Sequence, residues 1–146
     1  MPDSPVTRRV HEQVLRYWQD LKGGRRFPAK QEIEPQAITE AWDWCFITHM
    51  RRGGVARGFD YDYIGHSLVA AYGANLTGQQ CDFESAPHIA SMLARLDEVT
   101  ESGEPAIDQS TFENLQQMQI KYRCCLLPLG NERVEHILGC MRWKVC

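Results

Sequence analysis

The chain has 146 residues, 43% hydrophobic and 24% charged, with a formal net charge of −3 and a pI near 5.9. That is one globular domain, long enough to bury about 70% of its unfolded surface without a disulfide or metal staple. The acidic balance argues against general nucleic-acid binding, which calls for a basic surface, and no apolar run approaches the ~18 residues of a membrane span.

Thr7 to Leu21 reads as a helix, with Val10, Val14, Trp18 and Leu21 on one apolar stripe and Gly23-Gly24 after it. Arg25 to Ile38 is a proline-containing loop. Trp44 to Met50 is a short strand and Val55 to Gly65 a second, where Phe59, Tyr61 and Tyr63 alternate with Asp60 and Asp62. His66 to Gly78 holds a short helix and a turn. The segment Glu84 to Pro105 holds the longest internal helix, with Ile89, Met92, Leu93, Leu96 and Val99 on its apolar face. Three strands close the chain, at Ala106–Phe112, Ile120–Leu129 and Val134–Lys144. Strands in two antiparallel groups with helices between them make an α+β domain of five strands.

The order of elements resembles a PAS domain, and the motifs are similar to those of a bacterial family of stand-alone PAS-like proteins. The matching stretches are Trp18 to Pro28 (WQDLKGGRRFP), Glu34-Pro35, Tyr63-Ile64-Gly65, Tyr72 to Gly78 (YGANLTG), Leu126 to Leu129 (LLPL) and Ile137 to Gly139. Two features depart from the pattern: Asp60 and Asp62 stand where a basic residue precedes the strand-ending glycine, and His66 follows Gly65 in place of threonine. The resemblance implies a PAS-like five-stranded antiparallel sheet over residues 25–146, flanked by helices, with residues 1–24 as an N-terminal amphipathic helix. It also implies a sensor or protein-interaction module, signalling through a partner protein because no output segment follows Cys146. The alternatives are a small-metabolite-binding module with an apolar pocket, and a small α+β enzyme.

The chemical motifs are sparse. Thr77 to Phe83 partly resembles the flavin motif of light-sensing PAS domains, but Asp82 replaces the arginine that would meet the flavin phosphate. His88 alone supports no haem, and the six cysteines lack the paired short spacing of a zinc site. No nucleophile–base, P-loop or metalloprotease motif occurs. The reading is therefore no catalytic residue, no metal and no cofactor. The N-terminus has no apolar signal-peptide core, so the expected compartment is the cytoplasm.

The last two strands are apolar on both faces. A turn centred on Asn131-Glu132 sets Tyr122 against Met141, Cys124 against Gly139 and Leu126 against Ile137. This inward face, joined by Tyr61, Tyr63, Phe83, Met92 and Leu96, lines whatever pocket exists, a packed core or a site for a small apolar ligand. On the other face Leu127, Leu129, Val134 and Leu138 form an apolar patch, matched by Val10, Val14, Trp18 and Leu21 of the first helix. Such a patch calls for a cover, from the helix and from a second subunit in a homodimer.

Overall fold

Val10, Val14 and Trp18 recur at the four-residue spacing that places side chains on one helix face. In the computed structural model, which describes residues 5–51, 58–81 and 90–146, they form the buried stripe of α1 (Pro5–Lys22). Two 3₁₀ turns (Lys30–Glu32 and Pro35–Ile38) and the single-turn α2 (Thr39–Trp42) lead into β1 (Cys45–Met50). Then come β2 (Phe59–Ile64), α3 (His66–Tyr72), the two-residue β3 (Gln80–Cys81) and α4 (Ala90–Ser102). The chain ends with β4 (Ala106–Glu113), β5 (Gln119–Gly130) and β6 (Val134–Val145). Residues 52–57 and 82–89, where the sequence places the start of the second strand and of the long helix, lie outside the described residues.

All strands join one antiparallel sheet in the order β3-β2-β1-β6-β5-β4. The five expected strands are present, and β3 adds a short edge. Helix α4 packs on β4, β5 and β6 through Met92, Leu93, Leu96 and Val99, while α1 packs on β5 and β6 from the opposite side. The turn-proximal half of the long hairpin is thus dry on both faces, which is why its apolar residues do not alternate with polar ones there.

Two expectations about register need correction. Tyr122 lies opposite Trp143, Cys124 opposite Met141 and Leu126 opposite Gly139. The connection is the three-residue loop Asn131–Arg133, with a register shift at Leu129/Gly130, and it moves the pairing by two residues. An even slip leaves every side chain on its face, so the division into inner and outer residues survives. The second correction is in β2. A bulge opposite Ile47/Thr48 leaves Asp62 without a partner, so Tyr61 pairs with Thr48 and Tyr63 with Ile47. Tyr61 faces inward. Tyr63 is turned to the outer side, where its ring stacks on Trp42 at 4.3 Å and its hydroxyl donates to the Trp42 carbonyl at 3.0 Å.

Pro128 sits in β5 where β4 has already ended, since Ala106 pairs with Leu126. Its missing N–H therefore removes no bond to β4. The loop before α2 takes β4's place there, with the Gly130 N–H donating to the Pro28 carbonyl at 2.9 Å. Next to this edge, the Phe46 ring lies directly on the backbone of Gly139, where a Cβ would overlap it. We expect Gly139→Ala to cost about 1–3 kcal/mol by overpacking, read as a lower urea midpoint; an unchanged midpoint would mean that Phe46 has room to move.

Candidate functional site

The inner face is built by alternation. Tyr122, Cys124 and Leu126 of β5, Met141 of β6 and Tyr61 of β2 point inward, and Met92 and Leu96 of α4 meet them; all are buried. Of the other residues assigned to this space, Tyr63 is turned away and Phe83 lies outside the described residues. Two aromatic residues not assigned to it, Tyr72 of α3 and Phe112 of β4, complete it. Ring centroids run Phe59–Tyr61 at 5.1 Å, Tyr61–Tyr72 at 5.9 Å, Tyr72–Phe112 at 5.6 Å and Phe112–Tyr122 at 5.7 Å. The chain of rings links the two ends of the curved sheet through α3, and the Tyr61 hydroxyl donates to that of Tyr72 at 3.0 Å.

One polar group interrupts this apolar lining. Asp108 is buried at 3% exposure, in phase with Phe112 on β4. Tyr122 donates to its Oδ2 at 2.5 Å and Ser91 of α4 donates to its Oδ1 at 2.8 Å. Arg95 approaches Oδ1 at 4.0 Å but hydrogen-bonds Glu98 at 2.8 Å. Burial first, and the bond to Asp108 second, push the Tyr122 hydroxyl far above its ordinary range, so it stays a neutral donor. Burial likewise pushes the neighbouring Cys124 thiol up. Both Asp108 oxygens are thus engaged by protein donors: the trio ties α4 to the sheet and presents neither an activated nucleophile nor a free base. The alternation of Ala106, Asp108, Ser110 and Phe112 was the sequence signal for it.

The outer face carries the other assigned residues. Leu127, Leu129, Val134 and Leu138 are buried, as are Val10, Val14 and Trp18, while Leu21 is half-buried at the end of α1. The Trp18 indole donates to the Pro128 carbonyl at 2.9 Å. Because α1 of the same chain lies on this patch, the patch does not by itself require a second subunit. Near the sheet's other end, His136 approaches Asp62 at 3.3 Å, Lys30 binds Asp62 at 2.9 Å, and Arg51 and His49 approach Asp60 at 3.6 and 3.9 Å. The two aspartates that break the family pattern therefore serve as anchors for neighbouring cations. Cys45, Cys140 and Cys125 stand side by side across β1, β6 and β5. The Cys125 thiol is pushed up by its bond to Cys140 and then by burial. Among the described residues no group of three or more His, Cys, Asp or Glu is arranged to hold a metal ion, and no helix is long and apolar enough to cross a membrane.

The profile of a family described as PAS domain matches residues 6–142. The chain belongs to the PAS-domain family. No curated protein matches it. Among solved structures, this PAS domain is similar to a light-oxygen-voltage domain studied with a flavin analogue (TM-score 0.52, 12% identity, 75% of this chain and 82% of that one). It is also similar to the Rhodobacter sphaeroides light-oxygen-voltage protein (0.50, 12%, 67% and 58%) and the Drosophila melanogaster Cycle PAS-B domain (0.47, 15%, 69% and 99%). At these identities the likeness is one of fold. PAS domains are sensor and interaction modules, and this chain has that architecture.

Two predictions test the site. Leu126→Ala should cost ~2–5 kcal/mol as a core truncation, and Tyr122→Phe about 1–3 kcal/mol by leaving Asp108 one donor short. A loss under ~0.5 kcal/mol for Leu126→Ala would place this face in solvent. The second concerns pH. Burial first, then the charges of Arg142 and Arg123, hold His11 of α1 down at about 4. Folded His11 is neutral while the unfolded residue takes a proton near pH 6.5, so its contribution is intact above 6.5 and is lost as pH falls toward 4. Between those pH values the wild type should lose ~1–3 kcal/mol more than His11→Gln, measured by urea unfolding at each pH; parallel curves would refute it.

Proposed function

We propose that this PAS domain is an interaction module that signals through its outer sheet face to a partner protein, with its inner face serving as packed core. The observation that carries this reading is the asymmetry of the two faces. Inside, the rings of Tyr61, Tyr72, Phe112 and Tyr122 touch in sequence and Asp108 is satisfied by Tyr122 and Ser91. Outside, α1 lies on part of the sheet and the rest is open, with Ile107 52% exposed and Leu15 37% exposed.

The fold family raises the question of flavin. An isoalloxazine ring needs a flat slot and convergent polar side chains at its edge. The positions that the resemblance gives them hold Phe112 and Tyr122, whose rings touch, and Met141, and the Tyr122 hydroxyl is taken by Asp108. The described residues do not fit the group. Asp82, opposite in charge to the phosphate-binding arginine of the flavin motif, points the same way. The purified protein should be colourless; a flavin or haem absorption band that survives gel filtration would overturn the packed-core reading.

The outer-face reading has its own test. Burying one medium apolar side chain is worth roughly 1.5–3 kcal/mol, so exposing Leu127, Leu129 and Leu138 together should be poorly tolerated. Deleting residues 1–22 should give a domain that aggregates or self-associates in sedimentation velocity; a monomer of unchanged stability would reject the role given to α1. A homodimer is the second reading, favoured by the exposed Leu15 and Ile107. Sedimentation of the intact chain at micromolar concentration decides it.

A further inference from the structure

Beyond the footprint of α1 the outer face changes character. Lys121 lies opposite Lys144 and Arg123 opposite Arg142, so two rows of paired cations stand side by side, extended by Thr111 and Gln109 of β4. Like charges directly opposite are destabilising, yet a chain with a net charge of −3 gathers four cations here. Lys121, Arg123 and Lys144 are exposed, and among the described residues no carboxylate lies within ion-pair distance of these three. Arg25, Lys30 and Arg95 elsewhere each have a carboxylate within 2.9 Å. His11 of α1 lies beside the rows, held down first by its burial and then by Arg142 and Arg123.

The rows line a groove of about 420 Å³. A second groove, of about 270 Å³, shares Arg123 and Arg142 with it and runs on to Ile107 and Leu15, with Glu12 on its wall. Charge therefore passes into exposed apolar surface along one continuous track. Carboxylates at alternate positions of an extended segment stand about 7 Å apart, which matches the step from Lys121 to Arg123 along β5.

We propose that the two grooves together bind an acidic segment of a partner protein, its carboxylates over Lys121, Arg123 and Lys144 and an apolar side chain between Leu15 and Ile107. This rests on the reading of the outer face as the interaction surface and names the chemistry it selects. Single-stranded nucleic acid is the weaker occupant, because the cation rows and their β4 neighbours carry no outward aromatic side chain on which bases could stack. A symmetric second copy would set cations against cations.

The test uses the full chain and a fluorescein-labelled peptide with three glutamates at alternate positions followed by two leucines, titrated by fluorescence anisotropy. Saturable binding is expected that weakens when salt rises from ~0.05 to ~0.3 M. Lys121→Glu with Lys144→Glu should weaken it about tenfold, and Ile107→Ser about fivefold. The charge-reversed variant should melt no lower than wild type, since the like-charged pair it keeps then stands beside Arg123 and Arg142 and is offset by them; if it fails to fold, Lys121→Gln with Lys144→Gln takes its place. Absence of saturable binding, equal affinity in the variants, or tighter binding of an oligouridylate of the same charge would each overturn the proposal. So would a change in self-association on charge reversal, which would make a second copy the occupant. If the peptide fails while deletion of residues 1–22 still exposes the outer face, the docking chemistry is wrong and the outer-face reading stands.

Discussion

Everything in this domain depends on keeping both faces of the turn-proximal half of one long hairpin dry. Strands β5 and β6 carry Leu126, Ile137 and Met141 to one side and Leu127, Leu129 and Leu138 to the other, all without solvent exposure. No antiparallel ribbon is stable like this alone, because each face needs its own cover. Helix α4 and the aromatic chain through α3 supply one, and α1 supplies the other. The Trp18 indole fixes the second cover by donating to the Pro128 carbonyl, at the point where β5 has run past the end of β4. Proline there leaves the strand a free edge, the Pro28 loop fills it, and the N-terminal and C-terminal parts of the chain become one core.

Much of this was readable from the residues. The four-residue spacing of Val10, Val14 and Trp18 marks the buried stripe of α1, and the double-faced apolar character of Cys124 to Leu129 demands a second covering layer. Alternation assigns Tyr122, Cys124 and Leu126 to the same side whatever the register, which explains why a two-residue error in pairing did no damage. An odd slip would have inverted every assignment.

The misplacements trace to effects that local periodicity cannot carry. Tyr63 continues the alternation of Phe59 and Tyr61 in sequence, but the bulge at Asp62 flips its side, and a bulge depends on the partner strand. Phe112 reaches the inner face by the same alternation that places Asp108 there, whereas Tyr72 reaches it only because α3 packs its ring between Tyr61 and Phe112. Asp108 was within reach, since it occupies an inward position between Ala106 and Phe112. A buried carboxylate is tolerable only with donors on each oxygen, and which side chains of the adjoining α4 and β5 reach it, Ser91 and Tyr122, is set by packing that periodicity does not carry.

The same limit governs charge. Read along the chain, Lys121 and Arg123 belong to one strand and Arg142 and Lys144 to another, each pair an ordinary solvated edge in an acidic protein. The antiparallel register brings them into two opposed rows and leaves the outer face divided, dry under α1 and cationic beyond it. His11 lies at that boundary, half-buried beside Arg123 and Arg142, and is held down first by burial and then by those two charges. The covering of the hairpin and the charge of its uncovered part are therefore linked. The helix that keeps the apolar half dry ends its footprint where the cations begin, so the position of α1 on the sheet sets how much of each surface is uncovered.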